Sequence, residues 1–141
     1  MKIDIEKFGV CVVCGNDEKG KSEIIAHVRK HNMSVDAKEL IFIVENPEND
    51  THPEVQTVYA ELYAIIAKGA KMLLTTNSFH FLEAFIFFME KHGVEQSVFF
   101  YTVHNGNIKE SSDPYDVFEN LSQPSFDLAD MKLEFEMEGE I

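Results

Sequence analysis

The chain has 141 residues, 45% hydrophobic and 26% charged, and this composition predicts a single globular domain over 1–141 with a real core. Its formal net charge of −13 argues against direct nucleic acid binding, because phosphate contacts need a basic patch. The longest apolar run, at 84–89, is too short to span a bilayer, and the charged start MKIDIEKFG is unlike a secretory signal. We therefore expect a cytoplasmic protein with no membrane segment.

The first half of the chain alternates between predicted strands and helices. KIDIEKF at 2–8 alternates like a half-exposed strand, and GVCVVC at 9–14 is an apolar run typical of a strand buried on both faces. Apolar residues at helical spacing predict a helix from Ser22 to about His31. ELIFIVE at 39–45 is the next predicted buried strand.

The second half continues this alternation. It contains a predicted helix from Pro53 to Gly69, a strand at 71–76, a helix over 79–91 capped by Ser78, a strand at 96–103 and a hairpin turn, HNGN, at 104–107. Strands that alternate with helices predict a three-layer α/β fold, with a mainly parallel sheet and flanking helices. The segment from about 111 onward is acidic, with nine acids against the single Lys132.

The two cysteines form a lone C-x-x-C, Cys11 and Cys14, inside the first buried strand. Residues i and i+3 of a strand point to opposite faces, so the spacing favours core packing over a zinc or redox site. His27 and His31 lie four residues apart on a predicted helix and could bind a metal. No third ligand is evident, and a solvent-facing pair is the favoured interpretation.

The stretch GNDEKGKS fits the pattern G-x-x-x-x-G-K-[S/T] of a phosphate-binding loop. Its positions are Gly15, Asn16, Asp17, Glu18, Lys19, Gly20, Lys21 and Ser22. A buried strand precedes it and a predicted helix follows it, which is the arrangement that such a loop requires. In this interpretation the glycines let the backbone wrap the phosphates, Lys21 reaches their oxygens and Ser22 ligates Mg²⁺. The alternative is an ordinary surface loop in which Ser22 caps the helix.

The segment LIFIVENPENDTHPEVQ at 40–56 resembles the block around the metal-binding acid in AAA-type ATPases of the ABC-like branch, which includes RecF-like and OLD-like proteins. KMLLTTNSFHFLEA at 71–84 resembles the family's next block, a strand that ends in T-T-H-S before a hydrophobic helix. The opening strand and the tail from 99 also resemble theirs, so the resemblance covers most of the chain in the right order.

The resemblance implies a P-loop NTPase-like fold and a role for each matching residue. Lys21 and Ser22 would contact phosphate and Mg²⁺, and Glu45 would hold the metal through water. Asn46 stands where the family has the glutamate that polarises the attacking water, and Asn77 stands where it has a histidine that senses the γ-phosphate. Both departures remove an ionisable group, so the resemblance implies weak or absent hydrolysis.

Other departures concern charge and length. Asp17 and Glu18 place acidic side chains where a polyanion would bind, and the family favours neutral residues there. Glu48 could replace the missing glutamate, but we expect the stiff turn at Pro47 to aim it elsewhere. His52 matches a family position with a structural role. Only residues 16–44 separate Gly15 from Glu45, so the family's signature segment has no counterpart there.

The family fold also implies a strand order: 96–103, then 9–14, then 71–76, then 39–45. The last of these would be an exposed edge, which favours a homo-oligomer or a protein partner that covers it. Two functions remain open. One is a nucleotide-binding protein that takes ATP or ADP with Mg²⁺, and the other is an interaction module that has lost nucleotide binding.

Overall fold

The computed structural model describes residues 3, 4, 7, 9–49 and 51–111. The strands are β1 (Val10–Cys14), β2 (Ile41–Glu45), β3 (Lys71–Thr75), β4 (Val98–His104) and β5 (Asn107–Ser111). The helices are α1 (Glu18–Asn32), α2 (Pro53–Ile66) and α3 (Phe79–Lys91), with a short 3₁₀ turn at Ala37–Glu39. Most of the strand predicted at 2–8 and the acidic segment after 111 lie outside the described residues.

The five strands form one mixed sheet in the order β2-β3-β1-β4-β5. The pairs β2–β3, β3–β1 and β1–β4 are parallel, and β5 returns antiparallel to β4. This confirms the predicted order of the four parallel strands and the predicted hairpin. Asn105 and Gly106 form its two-residue turn with φ of 48° and 81°, and these positive values suit an Asn-Gly pair.

The helices cover the two faces of the sheet, which gives three layers. One core lies between the sheet and the pair α2–α3, around Phe81 and Phe85. The other lies between the sheet and α1, around Ile24 and Val28. Strand β1 is buried throughout because its side chains alternate between these two cores. An α/β fold with a mainly parallel sheet and flanking helices is thus confirmed.

The two cysteines are free, buried and on opposite faces of β1, as the strand spacing predicts. Cys14 belongs to the core under α2 and α3, and Cys11 belongs to the core under α1. Burial raises the pKa of both thiols, that of Cys14 to about 12, so neither is a thiolate at neutral pH. Core packing accounts for both residues.

Candidate functional site

The candidate site lies at the end of the sheet that is formed by the C-terminal ends of the parallel strands. Strand β1 ends at Cys14, β2 at Glu45 and β3 at Thr75. The segments that follow these strands meet there, as loops after parallel strands do. The β4–β5 turn lies beside them, because Asn16 and Asp17 both contact it.

The start of α1 differs from the sequence prediction, which placed it at Ser22. The helix begins at Glu18, and the loop after β1 is only three residues long, 15–17. The physical reason is the strong helix-capping tendency of aspartate. Asp17 Oδ1 accepts a hydrogen bond from the Gly20 N–H at 2.9 Å, and Glu18 suits the positive end of the helix dipole.

Gly15 makes the closest backbone approach of the loop. Its φ is +125°, and a Cβ added there would lie 2.1 Å from the Val103 carbonyl oxygen, so only glycine fits. The Gly15 N–H donates to Asn77 Oδ1 at 3.0 Å. Asn77 therefore fixes the beginning of the loop to the end of β3.

Asp17 also ties the loop to the β4–β5 turn. Its Oδ2 accepts a hydrogen bond from the Gly106 N–H at 2.8 Å, and Asn16 Oδ1 lies 2.9 Å from His104 Nδ1. The N–H bonds from Gly20 and Gly106 hold the pKa of Asp17 below its usual value. A carboxylate thus occupies the helix N-terminus, where a phosphate-binding loop places its ligand.

Lys21 is the most unusual residue of the site. It is only 2% exposed, and its Nζ has no hydrogen-bond partner among the described residues. Glu18 Oε1 lies 3.6 Å from Nζ, within ion-pair range but beyond a hydrogen bond. The positive charge of Lys21 opposes the burial-driven rise in the pKa of Cys14.

The two predicted metal-binding residues, Ser22 and Glu45, differ in their surroundings in the described part of the chain. Ser22 is exposed on the first turns of α1. Glu45 is half-exposed, and its Oε2 lies 3.6 Å from Arg29, two helical turns beyond Ser22. No group of three His, Cys, Asp or Glu side chains that could hold a metal, His27 and His31 included, occurs among the described residues.

Glu48 points toward the segment that follows β3. Its carboxylate accepts hydrogen bonds from Thr76 Oγ1, at 2.8 Å to each oxygen, and from the Asn77 N–H at 3.2 Å. Asn46 makes this possible with a positive φ of 44°, which turns the chain back toward β3. Its N–H bonds to the Thr75 carbonyl at 2.8 Å.

One chain of hydrogen bonds thus runs across the C-terminal end of the parallel strands, from Glu48 through Asn77 to Gly15. Thr76 is fully buried, and its hydroxyl also accepts the Ser78 N–H at the start of α3. The sequence gives only one indication of this connection. Asn46, which directly precedes Pro47, is a residue type that tolerates a left-handed backbone.

A cavity of ≈ 510 Å³ lies between the loop and the β4–β5 hairpin. Its lining includes Gly15, Asn16, Asn77, His104, Asn107 and Lys109. This volume lies in the range of small-molecule sites. The lining also includes Thr102 and Val103, and its amide, imidazole and lysine side chains can donate hydrogen bonds to an anionic or polar ligand.

Comparison of the chain with protein-family models, with curated proteins and with solved structures gave no match. Among the described residues, none of the helices has the length and apolar character needed to cross a membrane.

Proposed function

We propose that this protein binds a nucleotide, ATP or ADP with Mg²⁺, at residues 15–22, which comprise the loop after β1 and the start of α1, and that it hydrolyses the nucleotide weakly or not at all. The observation that carries the proposal is the buried amino group of Lys21 without a hydrogen-bond partner in the described part of the chain. We further propose that the fold is P-loop NTPase-like. The sheet order and the position of the loop after β1 support this proposal.

The environment of Lys21 suits a phosphate. A buried polar group without a partner costs about 1–3 kcal/mol, and more when it is charged, so such groups usually have one. Phosphate oxygens are strong acceptors for a lysine that lies in the first turn of a helix at the end of a parallel strand. Lys21 occupies this place on α1, directly after β1.

Nucleotide entry requires Asp17 to move. Its carboxylate accepts hydrogen bonds from the Gly20 and Gly106 N–H groups, and phosphate oxygens would replace the carboxylate as the acceptor. Asp17 belongs to a three-residue loop at the edge of the sheet, so its side chain can rotate toward solvent while β1 and α1 stay in place. The sugar and base would then lie in the cavity beside Asn16 and His104.

The metal would be held by Ser22 and Glu45. The Ser22 hydroxyl is an oxygen ligand of the kind that Mg²⁺ prefers, and the Glu45 carboxylate would act through water after releasing Arg29. Bound Mg²⁺ would offset the negative charge of the phosphates. Asp17, Glu18 and Glu45 all lie at this end of the sheet, so we expect nucleotide binding to depend strongly on the metal.

The test is calorimetric titration of the full chain with ATP and ADP, with and without Mg²⁺, alongside thermal unfolding. We expect saturable binding with Mg²⁺ and an unfolding temperature that rises with nucleotide concentration. The stabilisation should reach about 2.7 kcal/mol at a hundred times the dissociation constant. Flat titrations with both nucleotides would refute the proposal.

Replacing Asp17 by asparagine should tighten nucleotide binding about tenfold or more. Asparagine can still cap α1, but the change removes a negative charge close to the phosphates, where like charges repel. Asp36→Asn is the matched control, since Asp36 precedes the 3₁₀ turn and makes no capping bond there. Calorimetry that shows equal or weaker affinity for Asp17→Asn would contradict the displacement of Asp17 by phosphate.

The second candidate is an interaction module that kept the fold but lost nucleotide binding. The observation in its favour is the same Asp17 carboxylate, which already satisfies the donors that a phosphate would use. The titration decides between the two functions, because an interaction module would show no nucleotide dependence.

A further inference from the structure

Helix α2 carries large apolar side chains on its outer face. They are Val55, Val58, Tyr59, Leu62 and Ile65, which we call the α2 stripe. Val58 is 66% exposed and Leu62 is 48% exposed, whereas the face toward the sheet is occupied by the small residues Ala60 and Ala64. Tyr63 and Ile66 pack against the protein's own core, but the large apolar side chains of the stripe lie away from it.

The spacing of the stripe is that of a helix-pairing seam. Val55, Val58, Leu62 and Ile65 follow each other at intervals of three, four and three residues, as the a and d positions of a heptad do. Over the 14 residues of α2 this gives four layers along roughly 20 Å of helix. Globular helices normally turn such a face toward the core.

The stripe continues onto the edge of the sheet through aromatic rings. The rings of Tyr59 and Tyr63 are 6.2 Å apart, and those of Tyr63 and Phe42 on β2 are 6.4 Å apart. Phe42 is itself 43% exposed. The stripe and Phe42 together leave six large apolar side chains exposed, and an exposed apolar patch of this kind marks a protein interaction site.

We propose that the α2 stripe is the interface with a second copy of this chain, in which two α2 helices pack antiparallel about a two-fold axis. In this arrangement Val58 packs on Leu62 of the second copy, and Val55 packs on Ile65 of the second copy. Each apolar layer then meets another apolar layer, which is the self-complementarity that a two-fold interface requires.

Charges at the two ends of α2 agree with this arrangement. Glu54 lies in the first turn and Lys68 follows the last turn, and both are exposed. An antiparallel pair brings Glu54 of one copy to Lys68 of the other at both ends of the seam, whereas a parallel pair would bring like charges together. Glu61, near the axis, is turned toward α3, where its Oε2 lies 3.2 Å from His92 Nε2.

Asn32 disfavours an alternative dimer in which the β2 strands of two copies pair with each other. Its side-chain amide accepts the Ile41 N–H at 2.8 Å and donates to the Ile41 carbonyl at 2.9 Å, as a neighbouring strand would. The first residue of β2 is therefore blocked against another strand. Helix pairing leaves this contact intact.

The test is sedimentation of the full chain from low to high micromolar concentration, in wild type and in Leu62→Lys. We expect a wild-type dimer and a dissociation constant raised by about 30-fold or more in Leu62→Lys, because a central apolar contact becomes a buried charge. Phe87→Lys on α3 is the control, since Phe87 is 58% exposed but lies outside the stripe. Circular dichroism verifies that both variants are folded.

Charge reversal distinguishes the antiparallel arrangement from any other. Glu54→Lys should weaken the dimer roughly three- to tenfold, and adding Lys68→Glu to the same chain should restore it. A wild type that is monomeric throughout, or a dimer that tolerates Leu62→Lys, overturns the proposal. A dimer weakened by Leu62→Lys without the charge rescue overturns the antiparallel arrangement. None of these measurements involves nucleotide, so they are independent of the proposed function.

Discussion

Replacing Lys21 by methionine is expected to abolish nucleotide binding and, at the same time, to stabilise the nucleotide-free protein. Methionine has a similar length and no polar hydrogen, so it can fill the same buried space without an amino group that lacks a hydrogen-bond partner. The free energy of unfolding should rise by about 1–3 kcal/mol, which raises the unfolding temperature by a few degrees in a domain of this size.

Affinity should fall by about 10- to 150-fold for each bond lost, because a charge-assisted hydrogen bond to phosphate is worth about 1.5–3 kcal/mol. Calorimetric titration and thermal unfolding measure the two effects on the same samples. Lys30→Met is the matched control: Lys30 lies on the same helix α1, but it is exposed in the last turn and away from the loop, so neither quantity should change much. A methionine variant that is destabilised and binds nucleotide as wild type does would show that Lys21 is only a core residue.

The fold could be predicted because its signals are local and regular. Continuous apolar runs identified the four parallel strands, and Asn105-Gly106 identified the hairpin through its demand for positive φ. The resemblance then supplied the strand order, which the sheet confirms. Each of these features depends on backbone propensity and burial, which a sequence shows directly.

The site was less predictable because it depends on competition between neighbours. Asp17 and Ser22 are both good helix-capping residues, and the sequence alone does not show which one begins α1. Asp17 does so because it also gains the Gly106 N–H, from a turn that is 89 residues away. The position of Glu48 likewise depends on Thr76 and Asn77, which lie 28 and 29 residues further along the chain.

Asn46 can be interpreted in two ways, as a lost catalytic residue or as a residue that the turn requires. The resemblance treats it as a lost glutamate, whereas the structure shows it in a left-handed conformation that asparagine tolerates far better than glutamate does. The residue therefore has a structural reason to be asparagine, whatever happens to the nucleotide. Its N–H bond to the Thr75 carbonyl fixes the turn that brings Glu48 to β3.

Hydrolysis of ATP by the wild-type protein is expected to remain near the uncatalysed background. Asn46 and Asn77 carry amides, which can orient a water but cannot take its proton at neutral pH. Loss of a general base typically lowers a rate by about 10²–10⁴-fold. Glu48 is the nearest described carboxylate to Asn77, but both of its oxygens already accept hydrogen bonds, which assigns it to positioning Thr76 and Asn77.

A phosphate-release assay measures the rate of ATP hydrolysis. It compares the wild type with Glu48→Gln and with the double variant Asn46→Glu with Asn77→His. We expect all three to stay near background. The double variant should restore little, because a glutamate at position 46 strains a backbone with φ of 44° and a histidine at position 77 replaces the amide that holds the Gly15 N–H.

Glu45→Ala completes the set, since it removes the proposed metal-holding acid and leaves the Glu48 contacts in place. Robust turnover by the wild type that Glu48→Gln abolishes would identify Glu48 as the general base. Robust turnover that only Glu45→Ala abolishes would show that hydrolysis depends on the proposed metal site and not on Glu48 as general base.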